Sequence, residues 1–121
     1  MVRTLLIIAL VIAVIAVVVN DGGRYSSKRY DLSAVTERVA DEVASSARGT
    51  TRDEAAALAE TLAQSSDVHV YQYDQNDQGV QVWTEITVPG TWVLGPFMAW
   101  RAGKPLDTPL VVRDYAAAVY R

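Results

Sequence analysis

The sequence predicts an α+β protein: an N-terminal transmembrane helix, then helices packed on a three-stranded antiparallel sheet. Three observations predict it. Residues 4–19 form an uncharged run, followed at once by Asn20-Asp21-Gly22-Gly23-Arg24. Apolar residues then recur at helical spacing through residue 64. From residue 68 the pattern changes to alternation, the signature of strands.

The opening run is costly to leave in water. A spanning helix needs about 17 to 25 residues at roughly 1.5 Å each. With Val2 before it and Asn20 after it, the run reaches that lower bound. Leu5, Ile8, Ile12, Ile15 and Val19 represent an apolar surface that continues all round the helix. A domain of this size can hardly bury such a helix on every side. A cleaved signal peptide is the competing reading, but Val17-Val18-Val19 stands where small residues are needed. Orientation is contested by the basic residues. Arg3 precedes the span; Arg24, Lys28 and Arg29 follow it, which favours a cytoplasmic head. Large domains translocate largely regardless of charge, so an extracytoplasmic head is the expectation.

The chain divides into a membrane anchor with its exit segment, residues 1–25, and one extracytoplasmic α+β domain, residues 26–121. Net charge is −3, and no block of like charge suggests nucleic acid. There is no cysteine, hence no disulfide framework and no thiolate chemistry.

Over residues 26–48, Leu32, Val35, Val39 and Val43 share one helix face, and Gly49 offers a stop. Gly22 and Gly23 each cost about 1 kcal/mol in a helix, which predicts a kink or short break after the span. Thr51-Arg52-Asp53-Glu54 is a capping box opening a second helix through residue 64, with Ser65-Ser66-Asp67 closing it. Val68, Val70 and Gln72 alternate with His69, Tyr71 and Tyr73 in a first strand. A polar turn over residues 74–79 leads to a second, in which Val80, Val82, Thr84, Ile86 and Val88 share a face. Pro89-Gly90 ends it. Residues 91–100 read as an apolar stretch interrupted by Gly95-Pro96. Residues 110–120 read as a third strand, although their alanine run also suits a helix.

No catalytic, cofactor or metal constellation is evident. His69 is the lone histidine, read as a surface or cross-strand residue. The serine pairs sit at helix ends with no base, and the paired carboxylates suit solvated helix faces. An enzyme, a cofactor and a small-molecule substrate are therefore not expected. Binding is carried by the anchor, toward membrane lipid, and by Trp92, Leu94, Phe97 and Trp100. That second segment either folds over the sheet to fill the core, or stays exposed toward a partner or the membrane surface.

The exit Asp21-Gly22-Gly23-Arg24, followed by Arg29-Tyr30-Asp31-Leu32 and an alanine-containing helix, resembles the amino-terminal signature of TadE/TadG-like proteins of tight-adherence (Flp-type) pili. The later strand, then Pro89 and Leu94-Gly95-Pro96, is similar to the end of such domains. The chain departs from the family's pattern in lacking a glutamate within its apolar run. The resemblance implies a pilin-like fold and marks Asp21, Gly23, Arg24, Arg29 and Leu32 as the exit motif. It implies a minor pilin-like or accessory subunit in the bacterial inner membrane, with other pilus or secretion-apparatus subunits as partners. The alternative is a stand-alone anchored envelope protein whose head binds a small ligand or an envelope component.

Overall fold

The computed structural model describes residues 1–46 and 50–120. The element order is α1 (Val2–Ser46), α2 (Arg52–Gln64), β1 (His69–Gln75), β2 (Gly79–Val88), α3 (Leu94–Arg101) and β3 (Leu110–Val119). The strands form one sheet in the order β1-β2-β3, antiparallel, so the layout is α+β as the sequence predicts. The expected stop at Gly49 lies outside the described residues. By contacts the chain groups into two compact units: residues 1–27 with 87–110, and residues 28–86 with 111–121.

The larger unit holds the sheet's core. From α1 it takes Leu32, Val39 and Val43, all fully buried, with Ala40 and Ala44 beside them. Helical spacing predicts Val35 on this stripe. It is only half-buried, and Thr36 occupies the centre instead. The wheel explains the exchange: positions 32, 36, 39 and 43 stay closer to one line than a path through 35. Thr36 tolerates burial because its hydroxyl is satisfied. It donates to the Leu32 carbonyl at 2.6 Å and meets the Thr84 hydroxyl of β2 at 2.6 Å. A hydroxyl has one proton, so with Thr36 donating within the helix, Thr84 is the donor between them. Thr36→Val should therefore cost about 1 to 3 kcal/mol, because it leaves the Thr84 proton buried without an acceptor. Adding Thr84→Val should recover much of that loss. Denaturant unfolding of both singles and the double measures it; simple additivity would show the pair is not coupled.

α2 begins as the capping box requires, with the Thr51 hydroxyl accepting from the Glu54 amide at 3.3 Å. It packs on β1 and buries Ala55, Ala59 and Ala63, small residues on one face. β2 follows its alternation closely: Val80, Val82, Thr84, Ile86 and Val88 are all buried. β1 does not. Its register shifts between Val70 and Gln72, where Tyr71 is an extra residue opposite β2. A bulge of this kind reverses the faces beyond it. Tyr73 therefore turns inward where Gln72 was expected, and Gln72 is exposed. Tyr71 turns out, with the Arg113 guanidinium 4.9 Å from its ring centre. Burial, then the charges of Tyr120 and Asp74, push the Tyr73 hydroxyl up to about 12 despite Arg52 nearby. The alanine-rich segment is strand β3, not a helix.

The smaller unit contains the first part of α1, the end of β2 and α3. Gly22 and Gly23 do not break α1, which is continuous from Val2 to Ser46. The Arg24 Nε donates to the Asn20 side-chain oxygen at 3.2 Å, and this i,i+4 pair brackets both glycines. The segment containing Gly95-Pro96 is a helix, not an interruption. Pro96 lies in its first turn, where a missing N–H leaves no intrahelical bond unmade.

Candidate functional site: the exit clamp and the aromatic helix

The exit motif and the aromatic segment meet. Asp21 is only 5 % exposed although it directly follows the apolar run and Asn20. A buried carboxylate needs partners, and this one has backbone amides. The Trp92 N–H donates to Oδ1 at 2.8 Å. The Val93 and Leu94 N–H groups donate to Oδ2 at 2.9 and 2.8 Å. Asn20 adds its side-chain amide to Oδ1 at 2.9 Å and reaches the Gly90 carbonyl at 3.1 Å. Burial alone would raise the Asp21 carboxyl. The three amides and Asn20 outweigh it and hold the group well below the usual carboxylate range.

These bonds settle the start of α3. A helix leaves its first amides without internal partners. Here Trp92, Val93 and Leu94 give theirs to Asp21, and Gly95 gives its to the Thr91 hydroxyl at 3.2 Å. Pro96 has none to give, and Phe97 begins the regular ladder onto the Val93 carbonyl at 2.8 Å. Asp21 thus caps a helix more than seventy residues away in sequence, with its negative charge at the positive end of the dipole. Gly90 makes the approach feasible. Its φ is +77°, and the Arg24 guanidinium lies 2.8 Å from where a Cβ would stand.

α3 is patterned inversely to a helix of a water-soluble surface. Its buried residues are the small ones, Gly95 and Ala99. Trp92, Phe97 and Trp100 are 59, 48 and 69 % exposed, and Val93 and Met98 are exposed with them. Phe97 and Trp100 lie against each other, ring centres 6.2 Å apart. Leu94 is half-buried. Of the two readings of this segment, the core-filling loop is corrected: the aromatics point outward.

Of the exit-motif residues, Asp21 and Arg24 join Trp92 and Leu94 at this site. Gly23 is an exposed helix position at which an added Cβ would meet nothing. Arg29 and Leu32 belong to the other unit, Leu32 in its core. The anchor residues Leu5, Ile8, Ile12, Ile15 and Val19 are each at least half exposed. The sequence pattern does not single out Gly90 or Thr91 as parts of the site. The available signal was a carboxylate at the end of an apolar run, a position where charge is tolerated only with partners.

Elsewhere, His69 is a surface residue 3.6 Å from Glu60. Among the described residues no three His, Cys, Asp or Glu side chains gather as a metal site.

The class these features define is an α+β protein with, among the described residues, one helix long and apolar enough to cross a membrane. No family model, curated protein or solved structure matches the chain.

Proposed function

We propose that this protein is a membrane-anchored subunit of a tight-adherence (Flp-type) pilus or a related secretion apparatus, a minor pilin-like or accessory component that works by assembly. Its place is the bacterial inner membrane, crossed once, with the α+β domain on the extracytoplasmic side. The observation carrying this reading is the junction. The residues that resemble the family's exit motif include Asp21 and Arg24, and Asp21 is the cap of α3. A motif used to fix an element beside a membrane exit is a motif for presenting surface, and α3 presents aromatic side chains. Continuity of α1 from Val2 to Ser46 is the second support, because a single helix carries both the apolar run and the buried stripe.

The test is mild crosslinking in native cells, detergent extraction and mass spectrometry of copurifying proteins. Recovery of pilins, a platform protein or an assembly ATPase is the expected result. Recovery of the protein alone, still in the membrane fraction, would overturn assembly and turn the search to a ligand of the domain.

A further inference from the structure

The geometry points to α3 as a second membrane contact: an interfacial helix that lays Trp92, Phe97 and Trp100 into the headgroup layer at the exit of α1. The inference rests on the reading of α1 as a membrane span.

Position is the first argument. Asp21 lies two residues beyond Val19, about 3 Å farther along the axis at 1.5 Å per residue. Its carboxylate holds the amides of Trp92, Val93 and Leu94 at 2.8 to 2.9 Å. The start of α3 is therefore fixed within a few ångströms of the end of the apolar run. The polar layer on each side of the hydrocarbon core is roughly 5 to 8 Å thick, judged from total and core thickness. A helix start held that close to the exit lies within the layer.

The length of the span strengthens the placement. Residues 4–19 supply about 24 Å of helix against a hydrocarbon core of about 30 Å. A short span is met by thinning the bilayer, by snorkelling of flanking residues or by oligomerising. Thinning brings the headgroups closer to α3.

The chemistry of the exposed face is the second argument. Tryptophan is enriched at membrane interfaces because its ring is apolar and its N–H is polar. Trp92 and Trp100 carry that property, and Phe97 and Met98 deepen the apolar face. Arg101 in the last turn and Lys104 after it place positive charge at the other end of the helix. That arrangement suits anionic headgroups. A small-residue buried face also fits, since Gly95 and Ala99 let the helix lie close to its own unit while the bulky residues turn away.

The occupant is thus the lipid surface, by continuity with the apolar surface of α1. The full-length protein carrying Trp83→Phe reports only on Trp92 and Trp100. It would be reconstituted in phosphatidylcholine vesicles with and without phosphatidylglycerol, with bromine placed on the acyl chains at shallow or deep positions. Cofloatation with the vesicles tests the span. Given cofloatation, the expected result is tryptophan emission shifted to the blue, quenched several-fold more by shallow than by deep bromine, and protected from aqueous iodide. Emission accessible to iodide and untouched by brominated lipid would overturn the inference while leaving the span intact. Protection from iodide without quenching by lipid would also overturn it, because a protein surface would then cover the helix. Failure to cofloat would instead overturn the span. A Trp92→Ser, Trp100→Ser variant, checked for its circular dichroism, should show several-fold weaker quenching by shallow bromine of a fluorescent probe on Phe97→Cys than the same probe with both tryptophans in place; unchanged quenching would overturn the inference.

Discussion

Asp21→Asn is expected to release α3 while leaving α1 and the sheet folded. Asparagine keeps the shape but offers one carbonyl oxygen in place of two carboxylate oxygens. Its amide group must then face N–H donors at one of the two positions. The wild-type carboxylate takes Trp92 on one oxygen and Val93 and Leu94 on the other, so neither orientation of asparagine serves all three. Hydrogen bonds to charged groups contribute about 1.5 to 3 kcal/mol each, and removal of an N-cap about 0.5 to 2 kcal/mol. These terms are not additive, and a net loss of about 2 to 3 kcal/mol from the docking of α3 is the expectation. Amide hydrogen exchange reads it directly. Protection at Val93, Leu94 and Phe97 should fall by roughly thirty- to one-hundred-and-forty-fold, since each 1.4 kcal/mol is tenfold. Protection in residues 32–43 should not change. The pH dependence has a definite sign. The folded carboxyl is depressed below the unfolded value near 3.9, so its contribution is complete above about pH 4. It falls away only as pH drops toward the lower folded value. Docking of α3 that weakened near pH 6, or that ignored acid entirely, would show that the carboxylate is not the clamp.

Local patterns in the sequence carried much of this fold. β2 reads correctly because five alternating residues all reach one buried face, so the period-two signal and the burial agree. α2 reads correctly because its cap is a local hydrogen bond between Thr51 and Glu54. The β1 bulge has no such signature. Tyr71 continues the alternation without interruption, and the extra residue is specified by pairing with β2 rather than by the strand itself. Thr36 carries no burial signal in the sequence, because a hydroxyl looks polar in one dimension. Its burial depends on Thr84, which is forty-eight residues away.

α3 was hidden for a different reason. Gly95-Pro96 is a breaker inside a helix and a compatible pair in its first turn, and the two cases differ only in where the helix starts. That start is set by Asp21 together with Thr91, and only Thr91 belongs to the segment. The candidate site was legible in its two halves, the exit motif and the aromatics. Their junction was not, because a capping contact across seventy residues leaves no periodicity. Gly22 and Gly23 misled for the same cause: propensity favours a break, and a side-chain pair from Asn20 to Arg24 opposes it.

Ile12→Arg is the substitution that separates a membrane helix from every other use of the apolar run. Ile12 lies near the middle of residues 4–19 and is 61 % exposed, so it has little packing within the protein to lose. In lipid, arginine at mid-span should cost about 2.5 to 3.5 kcal/mol of insertion, roughly a hundredfold in the partition between membrane and water. Carbonate extraction of membranes should move the variant into the soluble fraction, while Ile12→Leu stays behind. Depth supplies the control. Val2→Arg places the same charge at the helix end, where the side chain can reach the headgroups, so its effect should be much smaller. A run that formed the core of a water-soluble assembly would not grade with depth. It would respond to Ile12→Arg by losing the circular dichroism and the melting transition of the whole domain. Unchanged membrane retention of Ile12→Arg would remove the anchor, and with it the reason for the aromatics of α3 to point outward.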